Sequence, residues 1–409
     1  MKVCFETFGC RLNKAEALQM EAEYLAKGWA LTANHREADL FVVRGCSVTA
    51  RAERECEKCI AHLRHHYPNI PVRVYGCLKS AQGLSAVLAR RRRPSEGARP
   101  PATATVRSQP TEAPLPTRTA RAYLKVQDGC SAHCAFCIVP KFRGASASVP
   151  FADVIGQARR FVDAGYHELV VTGCNLTHYA SEGRRLPDLV DALAALSADC
   201  RIRLGSIEPG AVARETVDAM ADHANVCRFL HVSVQSGSNR VLMAMQRPYL
   251  AADVDALVEQ AQRRMPHLGL GCDLMTGFPD ETEVDFTATK LMLERLKFNL
   301  AHVFPYSERP GTVAASLGNP VAKDVRSTRA HALARVADAA RVRYAQSFVG
   351  KTVEIVVERD KSCVGRTSEY LVCDAVGSAK RKTVARIFVT GAEGSQLHGR
   401  IAGKASGGI

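Results

Sequence analysis

The feature that most restricts this 409-residue chain is a strand–helix alternation that runs along most of its length. Between Ala122 and Pro305, six strand-like apolar runs alternate with five helical patterns. The strands are expected at Ala122–Gln127, Glu168–Thr172, Arg201–Gly205, Phe229–Val234, Gly269–Met275 and Leu300–Pro305. The helices are expected at Phe151–Ala164, Leu186–Leu196, Ala211–Asp222, Ala251–Met265 and Glu281–Leu296. Strands separated by helices pair in parallel, and repeated βα units curl toward a barrel whose chemistry gathers at the carboxyl ends of the strands. Six units predict a partial version of the eightfold barrel. A shorter alternation precedes it, with strands at Val3–Phe8, Leu40–Val43 and Val72–Tyr75 and helices at Lys14–Lys27 and Thr49–Tyr67. The fold class is therefore α/β, with an amino-terminal parallel unit ahead of the barrel.

One core seldom serves this length, and texture marks the divisions. From Arg90 to Arg121 lie six of the chain's 18 prolines, with eight Arg against two Glu and no hydrophobic period. Such a stretch reads as a linker. After a long Arg-rich helix at Lys323–Ser347, short alternating strands follow at Thr352–Glu358, Glu369–Asp374 and Thr383–Val389, separated by glycines. They predict a small carboxyl-terminal β-barrel. The expected divisions are residues 1–89, a basic linker at 90–121, a central barrel at 122–347 and a terminal barrel at 348–409.

Hydrophobic residues at 46% and charged residues at 23% exclude a wholly disordered chain. No run of apolar residues is long enough for a membrane-spanning helix, and Met1–Glu6 lacks a signal peptide's apolar stretch, so a cytoplasmic protein without a membrane partner is expected. The net charge of +14 points to a polyanion, and residues 321–409 hold 16 Lys and Arg against 8 Asp and Glu.

In a reducing compartment, 15 cysteines argue for metal or catalytic roles rather than disulfides. Cys130, Cys134 and Cys137, spaced C-x3-C-x2-C, follow directly on the first barrel strand. A structural zinc would want a fourth ligand, with His133 nearest. Three thiolates on a top loop instead suit a [4Fe–4S] cluster with one iron open to substrate. Cys10, Cys46 and Cys77 each follow a strand of the first unit, at spacings of 36 and 31 residues. Residues just past neighbouring parallel strands converge on one crevice, so these three are candidates for a second cluster. Cys56 and Cys59 share one face of a charged helix and read as structural, whereas Cys4, Cys200, Cys227, Cys272, Cys363 and Cys373 read as buried hydrophobes. Cys174 is an extra thiol at a strand end, not a ligand.

The C-x3-C-x2-C loop on a six-unit barrel resembles the radical S-adenosylmethionine enzymes. With three dispersed amino-terminal cysteines and a terminal β-barrel, almost the whole chain resembles the methylthiotransferases. Thr7-Phe8-Gly9-Cys10-Arg11-Leu12-Asn13 is similar to the opening of the tRNA threonylcarbamoyladenosine branch, MtaB. Val126-Gln127-Asp128-Gly129-Cys130, Arg203–Pro209, Gln235-Ser236-Gly237-Ser238, Gly277-Phe278-Pro279 and Phe304–Thr312 match family motifs, and the terminal barrel resembles the RNA-binding TRAM module. The departures are Arg44-Gly45 in place of Asn-Thr before the second cysteine, Lys79-Ser80 after the third, Asp280 where the family has Gly, and a single Arg143 where it has an Arg-rich stretch.

The resemblance implies two [4Fe–4S] clusters, S-adenosylmethionine, a reductant protein, a sulfur donor and a tRNA anticodon loop. The implied reaction adds sulfur and methyl to carbon 2 of N6-threonylcarbamoyladenosine at position 37. Isopentenyladenosine or a ribosomal protein aspartate are alternative substrates, and a non-catalytic iron–sulfur RNA-binding protein is the alternative class. Phe136 is expected to pack near the cofactor's adenine; Ser206, Glu208, Gln235, Ser236 and Gly277 end barrel strands and are expected to contact the cofactor. Gly277 is expected to let backbone approach it closely. Lys380, Arg381, Lys382 and Arg386 are the candidate RNA contacts.

Overall fold

The computed structural model describes residues 1–78, 115, 118–359 and 361–402; most of the expected linker lies outside the described residues. The first unit is a four-stranded parallel sheet built from β1 (Lys2–Thr7), α1 (Arg11–Ala26), β2 (Ala30–Leu31), β3 (Leu40–Gly45), α2 (Ala50–His66) and β4 (Val72–Gly76), in the order β2-β1-β3-β4. Every residue of β3 is buried, as the interior strand of a parallel sheet requires. The sequence pattern missed β2, which has two residues and so no readable period.

The six barrel strands form as expected, within two residues at each end: β5 (Ala122–Lys125), β6 (Glu168–Thr172), β7 (Arg201–Leu204), β8 (Phe229–Gln235), β9 (Gly269–Thr276) and β10 (Leu300–Pro305). They pair in parallel as β7-β6-β5 and β8-β9-β10. Parallel bridges at Ile202–Val226 and Ile207–Val232 join the two halves. The covering helices are α3 (Val139–Arg143), α4 (Phe151–Asp163), α5 (Leu186–Ala194), α6 (Ala211–Asp222), α7 (Asn239–Ala244), α8 (Ala251–Arg264), α9 (Glu283–Arg295) and α10 (Lys323–Gln346). Helix α9 starts later than expected. Thr282 caps it in a box with Asp285, while Glu281 stays outside and is buried. Leu124, Leu169, Val171, Ile202, Leu204, Leu230, Val232, Leu270 and Leu274 point outward into one core beneath the helices. Strand alternation then sends Tyr123, Val170, Arg203, His231, Asp273 and His302 into the lumen.

The amino-terminal unit is seated in the barrel's concave side. Ala15 and Leu18 of α1 pack on Tyr123 and Val170, and Lys125 Nζ lies 2.7 Å from Glu16 Oε1. On α2, the Ala50 N–H donates to Ser307 Oγ at 3.1 Å, and Arg309 pairs with Glu53. The Phe304–Thr312 stretch thus docks one unit on the other.

The terminal barrel is closed and has five strands rather than the three expected: β11 (Thr352–Val357), β12 (Ser362–Arg366), β13 (Val372–Ala379), β14 (Val384–Glu393) and β15 (Gln396–Ile401), in the order β11-β12-β13-β15-β14. The two unforeseen strands, β12 and β15, each carry a glycine where backbones cross closely. A Cβ at Gly365 would meet Val356 O at 2.3 Å, and one at Gly399 would meet Phe388 O at 2.4 Å. Glu369 and Tyr370, expected in a strand, form a turn in which Tyr370 takes φ +73°.

That turn closes the amino-terminal end of the central barrel. Fully buried Arg203 pairs with Glu168 at 2.8 Å and donates to Ser368 O at 3.0 Å and Thr367 O at 2.9 Å. Arg201 donates to Glu354 O and Arg366 O, each at 3.0 Å. Tyr370 stacks on Phe229 with centroids 4.7 Å apart. Burial pushes the Glu168 carboxyl up, and Arg203, Arg201 and Arg121 more than reverse this, holding it at about 2. Removing one partner from such a network strands the other, so Arg203→Met is expected to cost about 3–5 kcal/mol in denaturant unfolding. Because the Glu168 pKa is depressed by folding, its contribution is complete above the unfolded pKa of about 4.3 and is lost as pH falls toward 2. In wild type, stability should fall across that window more steeply than in the Arg203→Met variant.

Candidate active site

Cys46 and Cys77 lie one residue past the ends of β3 and β4, and Cys10 lies three past β1. They gather at one edge. A Cβ at Gly9 would stand 2.9 Å from Cys46 Sγ, and the Cys77 N–H donates to Gly45 O at 3.2 Å. Gly9, at φ +90°, can take this backbone shape without a side chain in the way. Asn13 holds the loops together by donating to Phe8 O at 2.8 Å and Gly45 O at 2.9 Å. Cys56 sits behind Cys46, whose N–H donates to Cys56 Sγ at 3.4 Å.

Cys130, Cys134 and Cys137 follow β5 on a loop pinned by backbone bonds. The Cys130 N–H donates to Gly144 O at 3.1 Å, the Ala135 N–H to Met245 O at 2.9 Å, and the Ala314 N–H to Ala135 O at 2.8 Å. Phe136 packs with Met245, Phe278 and Tyr306 beside the loop.

Burial pushes the Cys46 thiol up to about 11 and Cys137 to about 12, and raises Cys77 and Cys130 as well. Thiolates there need positive charge, and each set has one largely buried arginine supplying it. Arg143 Nε donates to Cys77 Sγ at 3.1 Å, and Arg247 donates to Cys134 Sγ at 3.0 Å. Arg143 also bonds Asn13 at 3.0 Å, Glu16 at 3.0 Å and Asp128 at 2.8 Å, so one guanidinium ties the first cysteine set to the strand end before the second. Arg247 also pairs with Glu208 at 3.0 Å. The donor sets fit iron–sulfur clusters better than single ions. The described ligand groups that converge within 4.8 Å are Cys4–Glu6–His35 and His231–Asp273–His302, and neither thiol trio is among them. His133, the candidate fourth zinc ligand, is exposed. A cluster holds its ligands at separate corners, further apart than one zinc ion would.

Other expected residues fall differently. Glu208 reaches the second thiol set through Arg247 and also receives Asn175 Nδ2 at 3.4 Å. Gln235 ends β8 half-buried with φ +64°. Ser206 Oγ lies 2.9 Å from His231 Nδ1, inside the lumen. Two more are engaged by neighbouring side chains. Ser236 is fully buried; its hydroxyl faces Thr289 Oγ1 at 3.2 Å and accepts the Ser238 N–H at 3.1 Å, so it shapes the turn after β8. Gly277 does permit a close approach, but by Arg326, whose Cγ would lie 2.2 Å from an added Cβ. Cys174 lies near the first set, its thiol donating to Asp128 Oδ1 at 3.6 Å. Among the basic residues, Lys380 and Arg386 are exposed. Arg381 instead bonds Arg118 O at 3.4 Å, and Lys382 Nζ sits 3.7 Å above the Tyr166 ring, against the central barrel.

Sequence reading missed Arg143, Arg247, Arg11 and the His231–Asp273–His302 group. The three lumen residues had a legible signal, since each is polar on the alternate face of an apolar strand. The arginines had none, because contacts distant in sequence assemble them.

Residues 124–293 match the model of the radical SAM superfamily, and residues 2–93 match the uncharacterized protein family UPF0004. A tRNA-2-methylthio-N(6)-dimethylallyladenosine synthase of Bordetella avium is 30% identical over 440 positions, covering 98% of this chain and 92% of that protein. The chain belongs to the tRNA methylthiotransferase family. Threonylcarbamoyladenosine tRNA methylthiotransferase MtaB of Bacillus subtilis is 29% identical, covering 90% of this chain and 89% of that protein. The fold is similar to that of the radical S-adenosylmethionine methyltransferase TsrM from Kitasatospora setae, with TM-score 0.55, 13% identity and 77% of each chain covered. Like its family, this methylthiotransferase is a radical SAM enzyme acting on tRNA. Among the described residues, no helix is long and apolar enough to cross a membrane.

Arg143 offers a direct test of how the cysteine sets are coupled. Arg143→Met leaves Glu16 and Asp128 with Lys125 as the one cation they share and takes the guanidinium donor from Cys77. Chemical denaturation should show a loss of about 3–5 kcal/mol, and the yield of methylthiolated tRNA should fall at least tenfold.

Proposed function

We propose that this enzyme adds a methylthio group to carbon 2 of N6-threonylcarbamoyladenosine at position 37 of tRNA. The observation that carries this reading is the polarity of the lumen beneath the cysteine sets. Arg11, Ser206, His231, Asp273 and His302 line it, with His302 Nδ1 3.3 Å from Asp273 Oδ1 and His231 Nδ1 3.7 Å from Asp273 Oδ2. A threonylcarbamoyl group brings a carboxylate, a hydroxyl and a urea to such a wall. An isopentenyl group would leave the same side chains desolvated and unpaired.

Cys130, Cys134 and Cys137 would hold the cluster that works with S-adenosylmethionine, and Cys10, Cys46 and Cys77 the second [4Fe–4S] cluster. When bound, these groups supply one-electron chemistry and sulfur, which an unactivated aromatic C–H requires and side chains lack. The protein's share is placement and exclusion of water. Arg247 and Arg143 stabilise thiolate charge at Cys134 and Cys77. Phe136 lies on the Cys130 loop and Glu208 reaches it through Arg247, so both stand ready to help hold S-adenosylmethionine, with Gln235 at the end of β8 as a further candidate. Lys380 and Arg386 supply exposed charge for phosphate contacts, and an anticodon loop lets a base leave its stack cheaply. A reductant protein supplies electrons and a separate donor restores sulfur.

Nucleoside mass spectrometry of tRNA from a strain lacking this protein should lose 2-methylthio-N6-threonylcarbamoyladenosine alone. Loss of the isopentenyl product would instead assign the other substrate. In purified, oxygen-protected protein, about eight irons per chain are expected. Cys130→Ala should abolish S-adenosylmethionine cleavage, whereas Cys46→Ala should retain cleavage and make no methylthio product.

A further inference from the structure

We infer that the lumen holds a binding subsite for a carboxylate on the N6 substituent, with Arg11 as its counter-charge; this rests on the substrate reading above. Arg11 directly follows Cys10, so it leaves the first cysteine set and enters the barrel. Its guanidinium lies 3.4 Å from Leu204 O and 5.3 Å from the centre of the Tyr370 ring, interacts with the Tyr370 hydroxyl and lies within electrostatic reach of the Asp273 carboxylate. Among the described residues, no carboxylate lies within salt-bridge distance of it. A half-buried guanidinium that spends part of its donors on Leu204 O and the Tyr370 hydroxyl still keeps donors for a planar, bidentate anion.

The surroundings complete a pocket for such a group. His231 is buried, with Nδ1 engaged by Ser206, and its Nε2 has no hydrogen-bond partner among the described residues. Asp273 orients His302, whose ring is exposed to the lumen. The floor is closed by Tyr370, stacked on Phe229. Above, Phe304 is 40% exposed and stands two residues beyond His302 along β10, toward the strand ends that carry the cysteines. A flipped adenine stacked on Phe304 would have carbon 2 near the cysteine sets. Its N6 substituent would reach down past His302 to Arg11. The substituent's carboxylate would meet Arg11, and its hydroxyl the unpartnered Nε2 of His231.

Three anticodon stem–loops test this, carrying N6-threonylcarbamoyladenosine, its carboxylate methyl ester, or isopentenyladenosine. For wild-type holoenzyme, esterification should lower kcat/KM at least tenfold. Arg11→Gln should lower kcat/KM for the free acid at least tenfold and for the ester less than twofold, and Arg11→Lys should restore part of the loss. His302→Ala should likewise weaken the free acid, mainly through KM. Iron content and melting temperature confirm that each variant is folded; should Arg11→Gln fail to load iron, Arg11→Lys against the ester carries the comparison. Equal losses on acid and ester, or a wild-type enzyme indifferent to esterification, would overturn the subsite alone. Wild-type activity confined to the isopentenyl substrate would overturn the substrate reading, and the subsite with it.

Discussion

The guanidinium of Arg143 is the point through which the two halves of the site communicate. It bonds a thiol and a carboxamide of the amino-terminal unit and shares carboxylates from both units, with a side chain only 9% exposed. Asp128 is consequently held at about 2, because Arg143 and Lys125 outweigh the cost of its burial. Charges this well enclosed interact strongly, and removing any one leaves its partners stranded. The position of one cysteine set relative to the other is thus fixed by a salt-bridge network rather than by apolar contact alone.

Around that network the barrel is closed at one end and left polar within. Arg201 and Arg203 spend their donors on backbone carbonyls of the terminal barrel, which makes that barrel a structural floor as well as a carrier of basic residues. Lys382 belongs to this docking surface through Tyr166, leaving Lys380 and Arg386 as the exposed cations of the expected group. The Thr367–Tyr370 turn covers the far end of that lumen.

Most of the architecture was readable because βα repetition is periodic: all six barrel strands follow from spacing alone, and so do the positions of Cys46 and Cys77 just past β3 and β4. What stayed hidden has physical reasons. Strands β12 and β15 lack alternation because glycines at 365 and 399 yield to crossing backbones. Ser236 and Gly277 sit at strand ends, the expected place for cofactor contacts, yet their neighbours Thr289 and Arg326 come from helices that no local pattern links to them. Arg44 departs from the family's Asn-Thr, and its pairing with Glu16 brings it into the Arg143 network. The substitution thus has a structural partner invisible in the sequence.

The central claim is that two thiol trios each carry a cluster and look onto one pocket. Pulsed electron paramagnetic resonance of the reduced holoenzyme tests it most directly. Two [4Fe–4S] centres per chain, broadened by mutual dipolar coupling that vanishes in the Cys46→Ala variant, is the predicted result. A single centre, or two centres without coupling, would contradict it.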